Sequence, residues 1–122
     1  MKLSQVFRAL GDDTRLRMLG LLSKRQLCVC QISETLGISQ PNASKHLRRL
    51  YSAGIIECEK KSQWCFFSFS SAFKKQSALL HSFLLLMIAK NPSFKEDLEE
   101  LEKVIESKTC CNEILKKPKK PE

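Results

Sequence analysis

No stretch of this 122-residue chain is long and apolar enough to suggest a membrane span. Its most apolar run, residues 78–89, is interrupted by His81 and Ser82 and falls short of the roughly 20 residues a spanning helix needs. The opening Met1-Lys2-Leu3-Ser4-Gln5 has no apolar signal region, so nothing points to secretion and the expected location is cytoplasmic. There is no Cys-x-x-Cys motif, no βαβ pattern, and no evident Ser/His/Asp or Cys/His constellation. These absences argue against a thiol redox enzyme and leave no catalytic residue to nominate. Six cysteines are nonetheless present; without an export signal they are expected as reduced thiols rather than a disulfide framework.

What the chain does have is basic charge. The net charge of +8 favours an acidic partner, most plausibly nucleic acid. The excess is uneven. Residues 1–70 hold eleven Lys/Arg against five Asp/Glu, whereas residues 71–122 hold ten against eight. The positive charge therefore travels with the N-terminal part.

Leu3, Val6, Phe7 and Leu10 have helical spacing, and Gly11 stops that helix. Asp12 or Asp13 can cap a second helix carrying Leu16, Met18, Leu19 and Leu22. Residues 26–28 predict a short extended approach to a third helix, which starts at Val29 or Cys30 and ends at Gly37. Ser39 is a good N-cap for a fourth helix, with Pro41 tolerated in its first turn and Gly54 after its end. Two short helices separated only by Gly37 and Ile38 have helix-turn-helix spacing.

Residues 55–59 and 64–70 then predict a hairpin with Lys60, Lys61, Ser62 and Gln63 at its tip. A hairpin in that place is a wing. Cys58 and Cys65 are expected on its inward faces as core residues. Residues 72–90 predict one long helix, apolar nearly all round from Ala78, whose expected cover is a second subunit. His81 is expected as a satisfied interfacial histidine. Ser93 and Glu96 suggest a capping box for a last helix carrying Leu98, Leu101 and Ile105.

The fold class is thus mainly α with a small β-hairpin, a homodimeric winged helix-turn-helix. Residues 1–92 form the DNA-binding and dimerisation domain and 93–109 a C-terminal helix. Residues 110–122 form a cysteine-containing basic tail, expected to be disordered.

In a helix-turn-helix the second helix enters the major groove, N-terminal residues first. That places Gln40, Asn42, Ser44 and Lys45 at base edges, with Ser39 near the backbone. Gln and Asn pair with adenine, and Lys45 suits guanine or phosphate. Arg48 and Arg49 are placed for phosphates, and Lys60 and Lys61 on the wing for phosphate or the minor groove.

Cys28-Val29-Cys30 stands at the mouth of this motif. Two residues apart, its thiols share a face of an extended chain but point about 200° apart on a helix. An ion needing both sulfurs is therefore expected to unwind the helix start and loosen the helix that buttresses the reading head. A helix N-terminus also favours thiolate, the form that binds soft ions. Cys110-Cys111, in the tail, could complete this site or form another.

Ala9-Leu10-Gly11-Asp12-Asp13-Thr14-Arg15-Leu16-Arg17, Ser39-Gln40-Pro41-Asn42-Ala43-Ser44-Lys45-His46-Leu47, Ala53-Gly54-Ile55-Ile56 and Gln63-Trp64-Cys65-Phe66-Phe67 resemble the ArsR/SmtB family of metal-responsive repressors. Leu27-Cys28-Val29-Cys30 resembles the thiol signature of its arsenic-responsive members. The chain departs from it at Gln26 and Gln31, and has Ser33 where some members carry a third cysteine.

The resemblance implies a homodimeric repressor that binds inverted-repeat operator DNA when metal-free. Trivalent arsenic or antimony, binding the thiolates of Cys28, Cys30 and Cys110 or Cys111, is the implied inducer; repression itself needs no cofactor. Cadmium, lead or oxidation are alternative signals on the same fold. The dimer contact is implied for the first and the long fifth helix.

Overall fold

The computed structural model describes residues 2–107. The chain begins with α1 (Leu3–Leu10) and α2 (Asp13–Leu22), followed by α3 (Val29–Leu36) and α4 (Gln40–Ser52). The antiparallel hairpin β1 (Ile56–Lys61) and β2 (Trp64–Phe69) comes next, then α5 (Ser71–Gln76), α6 (Ala78–Lys90) and α7 (Pro92–Ser107). Cys110, Cys111 and the basic tail lie outside the described residues. No helix among the described residues is long and apolar enough to cross a membrane.

Local chemistry sets the helix ends. Of the two candidate caps for α2, Asp12 is the one used, its carboxylate accepting from the Arg15 N–H at 3.0 Å. Gly37 ends α3 in the left-handed region, at φ 71°, where an L side chain is disfavoured. Ser39 caps α4 by accepting from the Asn42 N–H at 3.2 Å. Buried Met18, Leu19, Ile32, Leu47 and Leu50 then join the helices in one core, where α3 supports α4 from behind.

Three expectations need correction. The predicted helix over 72–90 is two helices, because Ser77 takes a non-helical conformation (φ −124°, ψ 47°) between them. Ser70 caps α5 at the Phe73 N–H, and Phe73 is fully buried, so α5 is pinned beneath the wing while α6 turns away. The last helix is capped by Asn91, whose side-chain oxygen accepts from the Ser93 N–H at 3.0 Å, rather than by a box of Ser93 and Glu96. The wing tip is also shorter than expected. The register from Ile56↔Phe69 to Lys61↔Trp64 leaves only Ser62 and Gln63 in the turn, so Lys60 and Lys61 are strand residues.

Strand β2 is paired on its other side as well. Leu27 and Phe67 exchange both backbone hydrogen bonds, at 3.1 and 2.7 Å, which draws the segment before α3 against the wing.

Helix α7 packs across α2 and α3 through buried Leu101 and Val104, and one ion pair fixes it. Arg17 donates from Nε and Nη2 to the two oxygens of Asp97 at 3.0 and 2.9 Å. Asp97 is buried, and its carboxylate raises the pKa of Arg17 chiefly through the hydrogen bond. Removing Asp97 (Asp97→Ala) is expected to lower unfolding free energy by about 2 kcal/mol, the scale of a hydrogen bond to a charged group. Glu100→Ala, which breaks only the exposed pair with Lys103, should cost under about 0.5 kcal/mol. Denaturant titration of both variants checks the contrast.

His81 packs edge-on against Phe69 and Phe73, with ring centroids 4.9 and 6.2 Å away. Burial, and secondarily the charge of Lys74, push its pKa below the usual value. The folded state thus holds a neutral imidazole, whereas the unfolded chain takes up a proton below about pH 6.5. Stability should be complete above that pH and fall as the medium is acidified through it toward the lower folded value. The denaturant midpoint is expected to drop between about pH 7.5 and about pH 5.5 in the native chain, and by less in His81→Phe.

Candidate metalloid centre and nucleic-acid interface

Cys28 is the N-cap residue of α3 and lies outside the helix, with extended backbone (φ −95°, ψ 172°). Cys30 is inside the first turn. This split conformation swings Cys28 Sγ over Cys30 Sγ, and the two sulfurs lie 3.4 Å apart. The expectation that the two sulfurs diverge at the helix start is therefore corrected. Neither wholly extended nor wholly helical geometry applies, because the cap residue belongs to both. The first turn stays closed by the Ile32 N–H to the Cys28 carbonyl at 3.2 Å.

Gln31 holds this arrangement. Its side-chain oxygen accepts from the Cys28 N–H at 3.0 Å, completing a capping box, and Gln31 is fully buried. Ser33, where a third thiol was considered, is buried and donates to the Cys30 carbonyl at 3.2 Å. Both cysteines are buried, at 1% and 2% exposure, against Phe66 and Trp64 of the wing. No group of three His, Cys, Asp or Glu side chains suited to a metal ion occurs among the described residues.

The sulfur spacing can be tested against ligand geometry. With metal–sulfur bonds of about 2.3 Å, sulfurs 3.4 Å apart subtend roughly 95° at the bound atom. A tetrahedral ion with the same bonds wants them about 3.8 Å apart. Sulfurs this close are within reach of one shared bound atom.

On α4, Ala43, Leu47 and Leu50 face the core. Gln40, Asn42, Lys45, Arg48 and Arg49 are exposed together, with Ser44 half-buried and Ser39 at the cap. On the wing, Lys60 is exposed. Lys61 is half-buried; its ammonium donates to the Gln26 side chain at 2.9 Å and lies 5.3 Å from the Phe66 ring centroid.

One residue orients α4 against the rest. Arg15 donates from Nε to the Ala9 carbonyl at 2.6 Å and from Nη2 to the Arg8 carbonyl at 3.3 Å. Its Nη1 lies 3.0 Å from His46 Nδ1, which must accept and so carries its ring proton on Nε2. The end of α1, the start of α2 and the middle of α4 meet on this guanidinium.

Cys58 and Cys65 also differ from expectation. They are half-buried rather than core, and their sulfurs are bonded to each other, so the thiols of the chain are not all reduced in this structure. Register explains the bond. Cys58 faces Phe67, and Cys65 lies two residues along on the same strand face, at a Cα separation of 5.8 Å. Gln31, Phe66 and Arg15 were not singled out as site residues. The Gln31 signal lay in the sequence, three residues after Cys28, but a cysteine is an unusual partner for a capping box.

Comparison with known proteins follows the same lines. The profile "Bacterial regulatory protein, arsR family" matches residues 12–57. The arsenic resistance transcriptional regulator ArsR1 of Pseudomonas putida is 44% identical over 63 residues, 51% of this chain and 49% of that protein. The match therefore spans about half the length of that relative. A cadmium resistance transcriptional regulatory protein CadC homolog from Staphylococcus aureus is 36% identical over 85 residues, 66% of this chain and 70% of that protein. The fold matches the homodimeric winged helix-turn-helix DNA-binding domain (fragment 1–100) of a possible ArsR-family regulator from Mycobacterium bovis. That match has a TM-score of 0.62 at 22% identity, covering 75% of this chain and 82% of that one. With the winged helix-turn-helix in place, the chain belongs to the arsR family of bacterial regulatory proteins.

Proposed function

We propose that this protein is a homodimeric transcriptional repressor that binds inverted-repeat operator DNA and releases it when trivalent arsenic or antimony engages Cys28 and Cys30. The observation that carries the reading is the 3.4 Å sulfur pair at the cap of α3, the helix that supports α4. The 44% identity to an arsenic resistance regulator supports it. Cys110 and Cys111, outside the described residues, are the proposed sources of a third sulfur.

The dimer is supported by an uncovered apolar face. Leu3 and Phe7 on α1 and Leu79, Phe83, Leu86 and Met87 on α6 are all exposed, Leu79 at 89%. Large apolar side chains left exposed in such number are the mark of an interaction surface. Operator contacts fall to Gln40, Asn42, Ser44 and Lys45 for bases. Ser39, Arg48, Arg49, Lys60 and Lys61 serve the backbone, Lys61 after leaving Gln26.

The thiol pair acts on the wing rather than on the helix. Its sulfurs are already converged, so chelation leaves the backbone of α3 in place. A ligand on the sulfurs presses instead on what packs against them, namely Phe66 and Trp64 of β2. Occupation favours a displaced wing, DNA favours the seated one, and each ligand weakens the other by the same factor. A shift of about 3 kcal/mol would lower operator affinity more than a hundredfold.

A gel shift with the upstream DNA of the protein's own gene tests this. Arsenite or antimonite should release the native protein, and Cys30→Ser should remain bound at concentrations that release it; normal release of Cys30→Ser refutes the site. Cadmium is the second reading, favoured by the similarity to the cadmium resistance regulator, and is identified if it alone releases DNA. On the DNA side, Asn42→Ala should cost about 1–3 kcal/mol and relax specificity at one base position. Arg48→Ala should weaken binding to all sequences alike and lower the salt slope by about one. Affinities over a salt series and a panel of single-base operator changes separate the two.

A further inference from the structure

The wing carries a second sulfur pair that the Cys28–Cys30 centre does not use. Cys58 on β1 and Cys65 on β2 share one face of the hairpin, and their sulfurs meet. They line a cleft of about 500 Å³ between wing and α4, whose other walls are mostly apolar, Leu47, Tyr51, Trp64 and Phe67 among them, with Ser44, Arg48 and Gln63 the polar ones. Cys28 borders the same cleft. The cleft thus offers two sulfurs side by side and an apolar space next to them. Among the described residues no third metal-binding side chain is grouped with the pair.

That combination selects a ligand class. Trivalent arsenic bearing three exchangeable oxygens is best satisfied by three sulfurs. Trivalent arsenic bearing one carbon substituent has only two exchangeable positions, and its substituent needs an apolar place to lie. We propose that reduced Cys58 and Cys65 form a binding site for monosubstituted trivalent organoarsenicals, with the organic group in the cleft against α4.

The chemistry balances in two steps. A dithiol reductant first gives two electrons and two protons to the Cys58–Cys65 bond, becoming a disulfide itself and leaving two thiols. The thiols then condense with the oxide R–As=O. Two As–S bonds form, the arsenic–oxygen bond breaks, and the two thiol protons leave with that oxygen as one water. The arsenic stays trivalent and keeps its carbon. The bound group lies against Leu47 and Tyr51, on the helix that carries the proposed base-reading residues. This site does not depend on the reading of Cys28 and Cys30.

The test uses the full chain with Cys28, Cys30, Cys110 and Cys111 all changed to Ser, so that Cys58 and Cys65 are the only thiols. The reduced protein is titrated with phenylarsine oxide and followed by intact mass, thiol count and the fluorescence of Trp64, the chain's single tryptophan. One arsenical per chain, loss of both thiols together and a change in Trp64 emission are expected, with arsenite at least about tenfold weaker. In the otherwise native reduced chain, changing Cys58 and Cys65 to Ser should lower phenylarsine oxide uptake by one equivalent. This reads the site even if the fourfold variant does not fold. No uptake with both thiols reduced, one arsenical on each thiol, equal affinity for arsenite, or unchanged uptake in the double variant overturns the proposal. A pair that only re-oxidises and binds no arsenical is a redox couple, and overturns it too.

Discussion

The functional geometry of this protein hangs on the backbone of one residue. Cys28 stands at the cap of α3, extended on one side and bound into the helix on the other. Its carbonyl closes the first turn at Ile32, its N–H is held by Gln31, and its neighbour Leu27 is stitched to Phe67 of the wing. Three parts therefore meet there: the wing, the supporting helix and the sulfur of Cys30. Were Cys28 one residue further into the helix, the thiols would diverge; one residue earlier, Cys28 would lie on the strand bridge.

This placement explains how a buried pair of sulfurs can bear on a DNA-facing surface. Helix α3 packs against α4, and β2 covers the sulfurs with Phe66 and Trp64. Arg15 holds the other side of α4 through His46 and two carbonyls of α1. The reading helix is thus gripped from one side and supported from the other by the sulfur-bearing cap. One face of the wing borders an open cleft against α4.

Much of the fold was legible because its boundaries rest on local chemistry. Gly11, Gly37 and Gly54 stop helices, Asp12 and Ser39 start them, and alternating residues mark the wing. What escaped was conformation set by distant partners. Ser77 breaks the expected helix between Phe73, which is buried, and the apolar run that begins at Ala78. Asn91 takes the cap that Ser93 seemed to offer, and the Arg17–Asp97 pair joins residues 80 apart in sequence. Cys28 and Cys30 do stand at the start of α3, but their sulfurs converge where divergence was expected, since a cap residue follows neither the strand nor the helix rule. Cys58 and Cys65 looked like core residues because strand alternation tells which face a side chain takes, not what lies over it.

The central claim is that the thiol pair works with α3 intact. Amide hydrogen exchange of the free and arsenite-bound protein, resolved by residue, tests it most directly. Protection at Ile32 and along the rest of α3 should persist on binding, while amides of β2 around Phe66 and Phe67 exchange faster. Loss of protection through the first turn of α3, with the wing unchanged, would contradict the account and restore an unwinding mechanism.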